Sequence, residues 1–205
     1  MKFILATKQA MLQMFTENGD AVPGTLLKAG PVLVTQVKTK EKDGYRAVQV
    51  GYGTKKKLGK ALAGHVSAGG KGVLSRHVRE FPLTGDEELS VGQAIDVSVF
   101  SPGDTVSVSG VSKGKGFQGV VKRHGFKGGR GSHGNKHSFR EGGSIGGGGR
   151  AGGRVVKGMR MPGRMGAERV TVKNLRVLAI DTGKSEMIVS GALPGHRGTV
   201  LEIRG

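Results

Sequence analysis

The feature that most constrains the fold of this chain is a glycine-rich, basic tract at residues 111–165. The tract holds 18 of the chain's 39 glycines, and 13 Lys and Arg against the single acid Glu141. Such a segment cannot bury enough apolar surface to offset the entropy of ordering its backbone. We therefore predict that the tract is disordered by itself and becomes ordered only against a partner that supplies contacts.

The charge of the whole chain indicates what that partner is. Thirty-three Lys and Arg against 15 Asp and Glu give a formal net charge of +18, which favours a polyanionic partner and above all the phosphates of a nucleic acid. An anionic membrane would need a basic amphipathic helix or an apolar span, and no apolar run approaches the roughly 18 residues of a span. The absence of Cys excludes disulfides and thiolate metal sites.

The segments on either side of the tract have β character. Asp43-Gly44 precedes one of them and predicts a hairpin, and Asn18-Gly19 predicts a second turn. Alternating or β-branched runs predict strands at 14–16, 21–22, 32–37, 45–50, 95–100, 105–109, 169–172, 175–180, 187–189 and 199–203. Many short strands favour a small barrel or sandwich, from which the tract is a long excursion. In a milder insertion at about 53–90, the segment Lys55–His65 has the residues of a short helix, with glycines that weaken it.

Several enzyme signatures occur in the tract, but their contexts are wrong. Gly114–Gly119 matches the dinucleotide fingerprint, which must open a helix, whereas the following residues are β-branched and soon interrupted by Gly125. Ser144 sits in a Gly-x-Ser-x-Gly string without the strand and helix of a hydrolase elbow. His133 and His137 have a zinc-compatible spacing, but glycines between and before them argue against a helix. We therefore predict neither catalysis, nor a cofactor, nor a metal.

A different set of motifs carries a family resemblance. The run Asp104–His124 (DTVSVSGVSKGKGFQGVVKRH) closely resembles the signature of large-subunit ribosomal protein L-three, bacterial type. The resemblance continues, in the same order and over essentially the whole chain, through these segments: DGYRAVQV at 43–50, AGH at 63–65, SHGN at 132–135, GSIG at 143–146, MPGRMG at 161–166, ERVTV at 168–172 and GALPG at 191–195.

The resemblance implies a mainly β fold: a six-stranded Greek-key barrel of the translation-protein type, with a small helical insertion and a long Gly/Arg/Lys-rich extended loop. The barrel is expected at 1–110 and 166–205, with the insertion at about 53–90, and the loop at 111–165. The implied function is that of a structural constituent of the large ribosomal subunit, in the cytoplasm. Such a protein binds near the 3′ end of large-subunit rRNA, nucleates assembly, and contacts ribosomal proteins L-fourteen and L-nineteen.

Charge and resemblance together predict the RNA contacts. Arg forks onto phosphates and stacks on bases, and the rings of His and Phe can stack on unpaired bases. The predicted rRNA-binding residues are Lys113, Lys115, Phe117, Lys122, Arg123, His124, Lys127, Arg130, His133, Lys136, Arg140, Arg150, Arg154, Lys157, Arg160 and Arg164. Phe117, Phe126 and Phe139 are equally compatible with packing at the barrel mouth. The loop tip, implied to approach the peptidyl transferase centre, is Ser144, Ile145, Gly146 and Gly147.

Two points complete the prediction. Gly147 stands where some bacterial members of the family carry a methylated Gln, so that modification is not expected here. The alternative function is that of a non-ribosomal RNA chaperone or regulatory RNA-binding protein with a disordered basic arm. The strands that follow the tract favour the ribosomal interpretation, because an arm-type chaperone has no need of them.

Overall fold

The computed structural model describes residues 2–16, 18–66, 75–83, 89–146 and 152–205. The chain divides into two units: Met1–Val111 with Arg169–Gly205, and Ser112–Glu168. The strands are β1 Phe3–Phe15, β2 Ala21–Ala29, β3 Val32–Lys38, β4 Ala47–Thr54, β5 Ser75–Pro82, β6 Ala94–Ile95, β7 Thr105–Val111, β8 Phe117–Gln118, β9 Gly163–Arg164, β10 Arg169–Asp181, β11 Glu186–Ser190 and β12 Val200–Arg204. The helices are α1 Lys40–Asp43, α2 Lys60–Val66 and α3 Val120–His124.

The first unit is built around a closed antiparallel barrel with the strand order β1-β12-β7-β10-β11-β2. Strands β7, β10 and β11 are successive neighbours, and β12 returns to lie beside β7, which is the Greek-key arrangement. The predicted six-stranded Greek-key barrel is confirmed. Its interior follows from strand periodicity: Leu201 and Ile203 of β12 are fully buried, while Glu202 between them faces outward.

A second sheet, with the order β5-β4-β3-β6, belongs to the same unit. It packs on the outer face of β1, where the rings of Phe3 and Phe81 stack with centroids 4.6 Å apart. The hydroxyl groups of Thr7 and Tyr52 form a hydrogen bond of 2.9 Å. Because both faces of β1 are covered at this point, Phe3 to Ala6 are all buried and show no alternation.

The predicted hairpins exist, with one difference in detail. Strands β1 and β2 pair across Asn18-Gly19, and β3 pairs with β4. The β3–β4 connection contains the one-turn helix α1, which ends at Gly44 in the left-handed conformation with φ 79°. A glycine is suited to this helix end because it has no Cβ to clash there.

Other strand predictions need correction. The strand predicted at 95–100 is wrong: pairing ends at Ile95, and residues 97–99 form a 3₁₀ turn that buries Val97 and Phe100, three positions apart. The segments 169–172 and 175–180 are one strand, β10, interrupted by a bulge at which Asn174 has φ 58°. The insertion at 53–90 contains the helix α2, but it also supplies β5, which was not predicted.

The second unit contains β8 paired with β9, the short helix α3, and a 3₁₀ turn at 138–140. The helix α3 contradicts the prediction that no helix follows Gly119. Gly125 ends it after one turn at φ 71°. A dinucleotide site needs a strand that leads directly into a long helix. Here β7 ends at Val111, β8 is two residues long and α3 is five residues long, so these elements are not formed.

Candidate nucleic-acid interface

The first and last residues of the second unit are joined by a ladder of backbone hydrogen bonds. The amide of Ser112 donates to the carbonyl of Glu168 at 2.9 Å. The amide of Lys115 donates to the Met165 carbonyl, also at 2.9 Å, and β8 pairs with β9 in the next step. Gly166, at φ 73°, lies so close to the Lys113 carbonyl that a Cβ at that position would collide with it. We call this ladder, residues 112–118 and 163–168, the stem.

Beyond the stem, α3 binds the returning chain. The Arg123 Nη1 donates to the Met161 carbonyl at 2.8 Å, and the His124 Nε2 lies 3.0 Å from the same oxygen. Gly163 makes room for this arrangement, since a Cβ there would lie 2.5 Å from the Arg123 Nη1. Arg123 and His124 were predicted as RNA contacts, and the structure engages both with the unit's own backbone. Sequence reasoning missed this role because a main-chain carbonyl leaves no signal in the residue types.

The segment after α3 is held by its own local bonds. The amide of Gly129 donates to the Phe139 carbonyl at 3.0 Å. The Asn135 side-chain amide donates to the Arg130 carbonyl at 2.7 Å, and its Oδ1 accepts a 2.8 Å bond from the Ser138 hydroxyl. His133 lies in a turn at φ 61°. In the part of the chain that the structure describes, no three His, Cys, Asp or Glu lie together as a metal-binding group.

The remaining predicted contacts are presented to solvent. Arg123 and His124 are half-buried. The other described Lys, Arg and His residues of the predicted contact set are exposed, namely Lys113, Lys115, Lys122, Lys127, Arg130, His133, Lys136, Arg140, Arg154, Lys157, Arg160 and Arg164. Within the described ranges, no basic side chain of this unit forms an ion pair with an acid. Arg150 lies outside the described residues.

The aromatic and tip residues differ in their environment. Phe117 is 76% exposed and Phe139 is 45% exposed, while Phe126 is half-buried with its ring 6.1 Å from that of His124. The exposure of Phe117 favours stacking on a base over packing. At the predicted tip, the Ser144 hydroxyl donates to the Gly146 carbonyl at 3.3 Å, and Ile145 is 47% exposed. Gly147 lies outside the described residues.

Comparison with known proteins identifies the family. The family model described as "Ribosomal protein L3" matches residues 80–194. This chain belongs to the ribosomal protein L3, or uL3, family. It is 48% identical to the large ribosomal subunit protein uL3 of Cutibacterium acnes over 99% of this chain and 91% of the relative. The uL3 proteins of Herpetosiphon aurantiacus (46% identity, 98% and 94%) and Finegoldia magna (43%, 100% and 97%) are similar over comparable lengths.

The charge of this uL3 family member is unevenly distributed between its two units. Residues 112–168 carry 13 Lys and Arg against Glu141 and Glu168, so this unit has a strongly positive field. In the first unit, three of the described acids form ion pairs, and in one of these pairs the Lys38 Nζ lies 2.8 Å from Glu80. The hydrogen bonds from Lys38 and Tyr45 lower the pKa of the Glu80 carboxyl below its usual value.

No helix in the described ranges is long and apolar enough to cross a membrane.

Proposed function

We propose that this chain is a structural constituent of the large ribosomal subunit in the cytoplasm, and that it binds large-subunit rRNA mainly through residues 112–168. The observation that carries the proposal is the set of exposed cations on this unit that have no acidic partner among the described residues. Its relatives, named as proteins of the large ribosomal subunit, match it over nearly their whole length.

The arrangement suits the binding of folded RNA by charge and shape. Lys113, Lys115 and Lys122 are exposed on or next to the stem, where each can displace a counterion from a phosphate. Glycines between the cations allow the backbone itself to approach a phosphate or base closely. Phe117 offers an exposed ring face to an unpaired base.

The residues with internal bonds take a supporting role in this proposal. Arg123 and His124 hold the chain at Met161, and they thereby keep the two sides of the unit together while the lysines contact RNA. Arg123 and His124 are half-buried and not fully buried, so both remain in the proposed contact set. The boundaries of the RNA-binding element follow the stem, at residues 112 and 168.

Finer features of the proposal rest on the resemblance of the motifs. They include binding near the 3′ end of the rRNA, an early role in subunit assembly, and neighbours of the L-fourteen and L-nineteen types. A further feature is an approach of the segment around Ser144–Gly146 to the peptidyl transferase centre. Peptide-bond chemistry belongs to the RNA in this proposal, and the chain contributes binding.

Sedimentation of cell extracts on a sucrose gradient tests the proposal. The tagged chain is expected in the large-subunit peak and in the peak of whole ribosomes. A triple variant, Lys113→Gln, Lys115→Gln and Lys122→Gln, should enter these peaks less efficiently than the wild type. The matched control replaces Lys55, Lys56 and Lys57, three exposed lysines of the first unit, with Gln. A chain that stays at the top of the gradient would refute the ribosomal proposal in favour of a free RNA-binding protein.

A further inference from the structure

A cluster of three arginines around one carboxylate lies on the barrel, outside residues 112–168. Glu202 faces outward from β12, between the buried Leu201 and Ile203. Its side chain is 13% exposed. Arg204 is on the same face of β12, Arg169 begins β10, and Arg79 comes from β5 of the second sheet. All four residues belong to the first unit.

The carboxylate of Glu202 contacts all three guanidinium groups. The Arg79 Nε lies 3.3 Å from Oε1, and the Arg204 Nη2 lies 3.8 Å from Oε2. The Arg169 Nη2 donates a hydrogen bond to Oε2 as well. Arg204 is fixed further, because its guanidinium lies over the Phe81 ring, 5.1 Å from the centroid. Glu202 therefore gathers three cations that come from distant parts of the sequence.

This cluster exceeds what an ion pair between two sheets requires. One arginine would balance the carboxylate, whereas three leave an excess of two positive charges in a small area. Each guanidinium has five N–H donors, and few of these donors have protein acceptors among the described residues. The buried Arg204 Nε has none there. Arg79 and Arg169 are 50% and 57% exposed, so their free donors can reach a ligand.

Two hydroxyl groups and a groove lie beside the cluster. The hydroxyls of Ser109 and Thr171, on the neighbouring strands β7 and β10, bond to each other at 2.7 Å. Ser109 is paired in register with Glu202. Arg79 also lines a groove of about 850 Å³, together with Arg76, Tyr52 and the backbone of Gly53. The groove gives an extended polymer room beside Arg79.

We propose that Arg79, Arg169 and Arg204 form a phosphate-binding site for the RNA backbone on the first unit, separate from the contacts of residues 112–168. This inference rests on the proposed function, because that function identifies the bound polyanion as rRNA. Glu202 acts as a positioning residue that holds the three guanidinium groups beside one another. The forks of Arg79 and Arg169 then donate paired hydrogen bonds to phosphate oxygens, a geometry that lysine does not reproduce.

Equilibrium binding of the full-length chain to an in vitro transcript of large-subunit rRNA, over a range of salt concentrations, tests this site. The test variant is the double substitution Arg79→Gln and Arg169→Gln; Arg204 is kept because of its packing on Phe81. The control, Arg176→Gln with Lys184→Gln, removes two exposed charges from the far part of β10 and its following turn, roughly 20 Å or more along the strand from Arg169.

We expect the test variant to raise the Kd on the order of tenfold at about 0.15 M salt, and to lower the salt slope by about one unit for each phosphate that the arginines no longer neutralise. The control should change the Kd less than about twofold. Arg79→Lys with Arg169→Lys should weaken binding while keeping most of the slope, because the charge remains and the fork is removed. Melting curves would verify that each variant is folded.

The possible failures can be told apart. Equal effects in the test and control variants, or no effect in the test variant while the wild type binds, would overturn the arginine site. If the Gln variant does not fold, unchanged binding by the Lys variant would overturn it. The proposed function would be refuted instead if the wild type did not bind the transcript. If the Lys113, Lys115 and Lys122 substitutions weakened RNA binding and the arginine substitutions did not, the proposed function would be supported and the arginine site would be refuted.

Discussion

The two units of the molecule differ in how their charges are paired. In the first unit, carboxylates hold cations in place: Glu80 binds Lys38, Asp104 binds Lys2, and Glu202 gathers three arginines. In the second unit, the exposed cations have no such partners among the described residues. The first unit also has an apolar core, while the second has Val120 as its buried hydrophobic side chain in the described ranges. The apolar core is thus concentrated in the first unit, while the densest cluster of exposed, unpaired cations among the described residues lies in the second.

The largest difference should appear in hydrogen exchange of the free wild-type protein. Amides of β12 and β7 are expected to exchange only by global unfolding, because they lie in a closed barrel. Amides at 130–137 and 142–146, which have few backbone hydrogen bonds, should exchange without measurable protection. Adding the rRNA transcript should slow the second group. Strong protection of these segments without RNA would contradict ordering on binding.

Core truncation should separate the units next. Leu201→Ala removes a fully buried side chain of the barrel and is expected to lower the free energy of unfolding by about 3 kcal/mol. Ile145→Ala in the second unit should lower it by less than about 0.5 kcal/mol, because Ile145 is exposed. Denaturant titration measures both. Similar losses would mean that the second unit contributes to the cooperative core.

Removing charge should have the reverse pattern. Lys113→Ala, Lys115→Ala and Lys122→Ala together are expected to reduce the salt slope of rRNA binding by up to about three units, with little change in melting temperature. The same substitution at Lys55, Lys56 and Lys57 should leave the slope nearly unchanged. Filter binding over a salt series gives both values. A slope that is unaffected in the first variant would show that these lysines face solvent in the complex.

A smaller, local effect is expected at α3. Arg123→Gln removes the charged donor to the Met161 carbonyl, at a cost of about 1 kcal/mol to the local opening equilibrium. Exchange of the Lys115 and Met165 amides, which bond across the stem, should accelerate several-fold while barrel amides are unchanged. Lys122→Gln, next in sequence and exposed, is the control. Equal exchange in both variants would show that Arg123 does not hold the returning chain.

The smallest effect concerns the ion pair of the second sheet. The pKa of Glu80 is lower in the folded state than the unfolded pKa of about 4.5. Ionised Glu80 therefore stabilises the fold at pH values above about 4.5, and this stabilisation is lost as the pH falls through the lower folded pKa. Glu80→Gln should therefore lower the melting temperature slightly near pH 7, and the difference from wild type should shrink towards pH 3. A difference independent of pH would assign the effect to packing.

The fold was predictable where one face of a strand is buried. Strand β7 alternates polar and apolar residues, burial alternates along β11 and β12, and all three strands occur where the sequence indicates. Strand β5 was missed because Arg76, His77, Arg79 and Glu80 hide the pattern. Helix α3 was missed because its two valines and nearby glycines suggest a strand or loop. There Val120 is buried and Gly125 ends the turn, and these contacts outweigh local propensity.

The candidate interface was predictable to a similar extent. Composition indicates which cations belong to it, since charge alternates with glycine in one tract. It does not show that Arg123 and His124 meet a backbone carbonyl. Nor does it bring Arg79, Arg169 and Glu202 together, because they stand on three strands that are distant in sequence. Those contacts depend on barrel closure and on the packing of the second sheet, which single-sequence patterns do not contain.

The register of β7 and β10 has a consequence for the history of such a chain. Val111 and Arg169 are cross-strand partners, so the barrel itself holds the entry and exit of the intervening segment side by side. Closing a loop of this length costs only about 2 kcal/mol more entropy than closing a four-residue turn. Insertions, deletions and substitutions within the segment are therefore cheap for the barrel. During evolution, the segment between Val111 and Arg169 can therefore change in length and sequence while the barrel continues to fold.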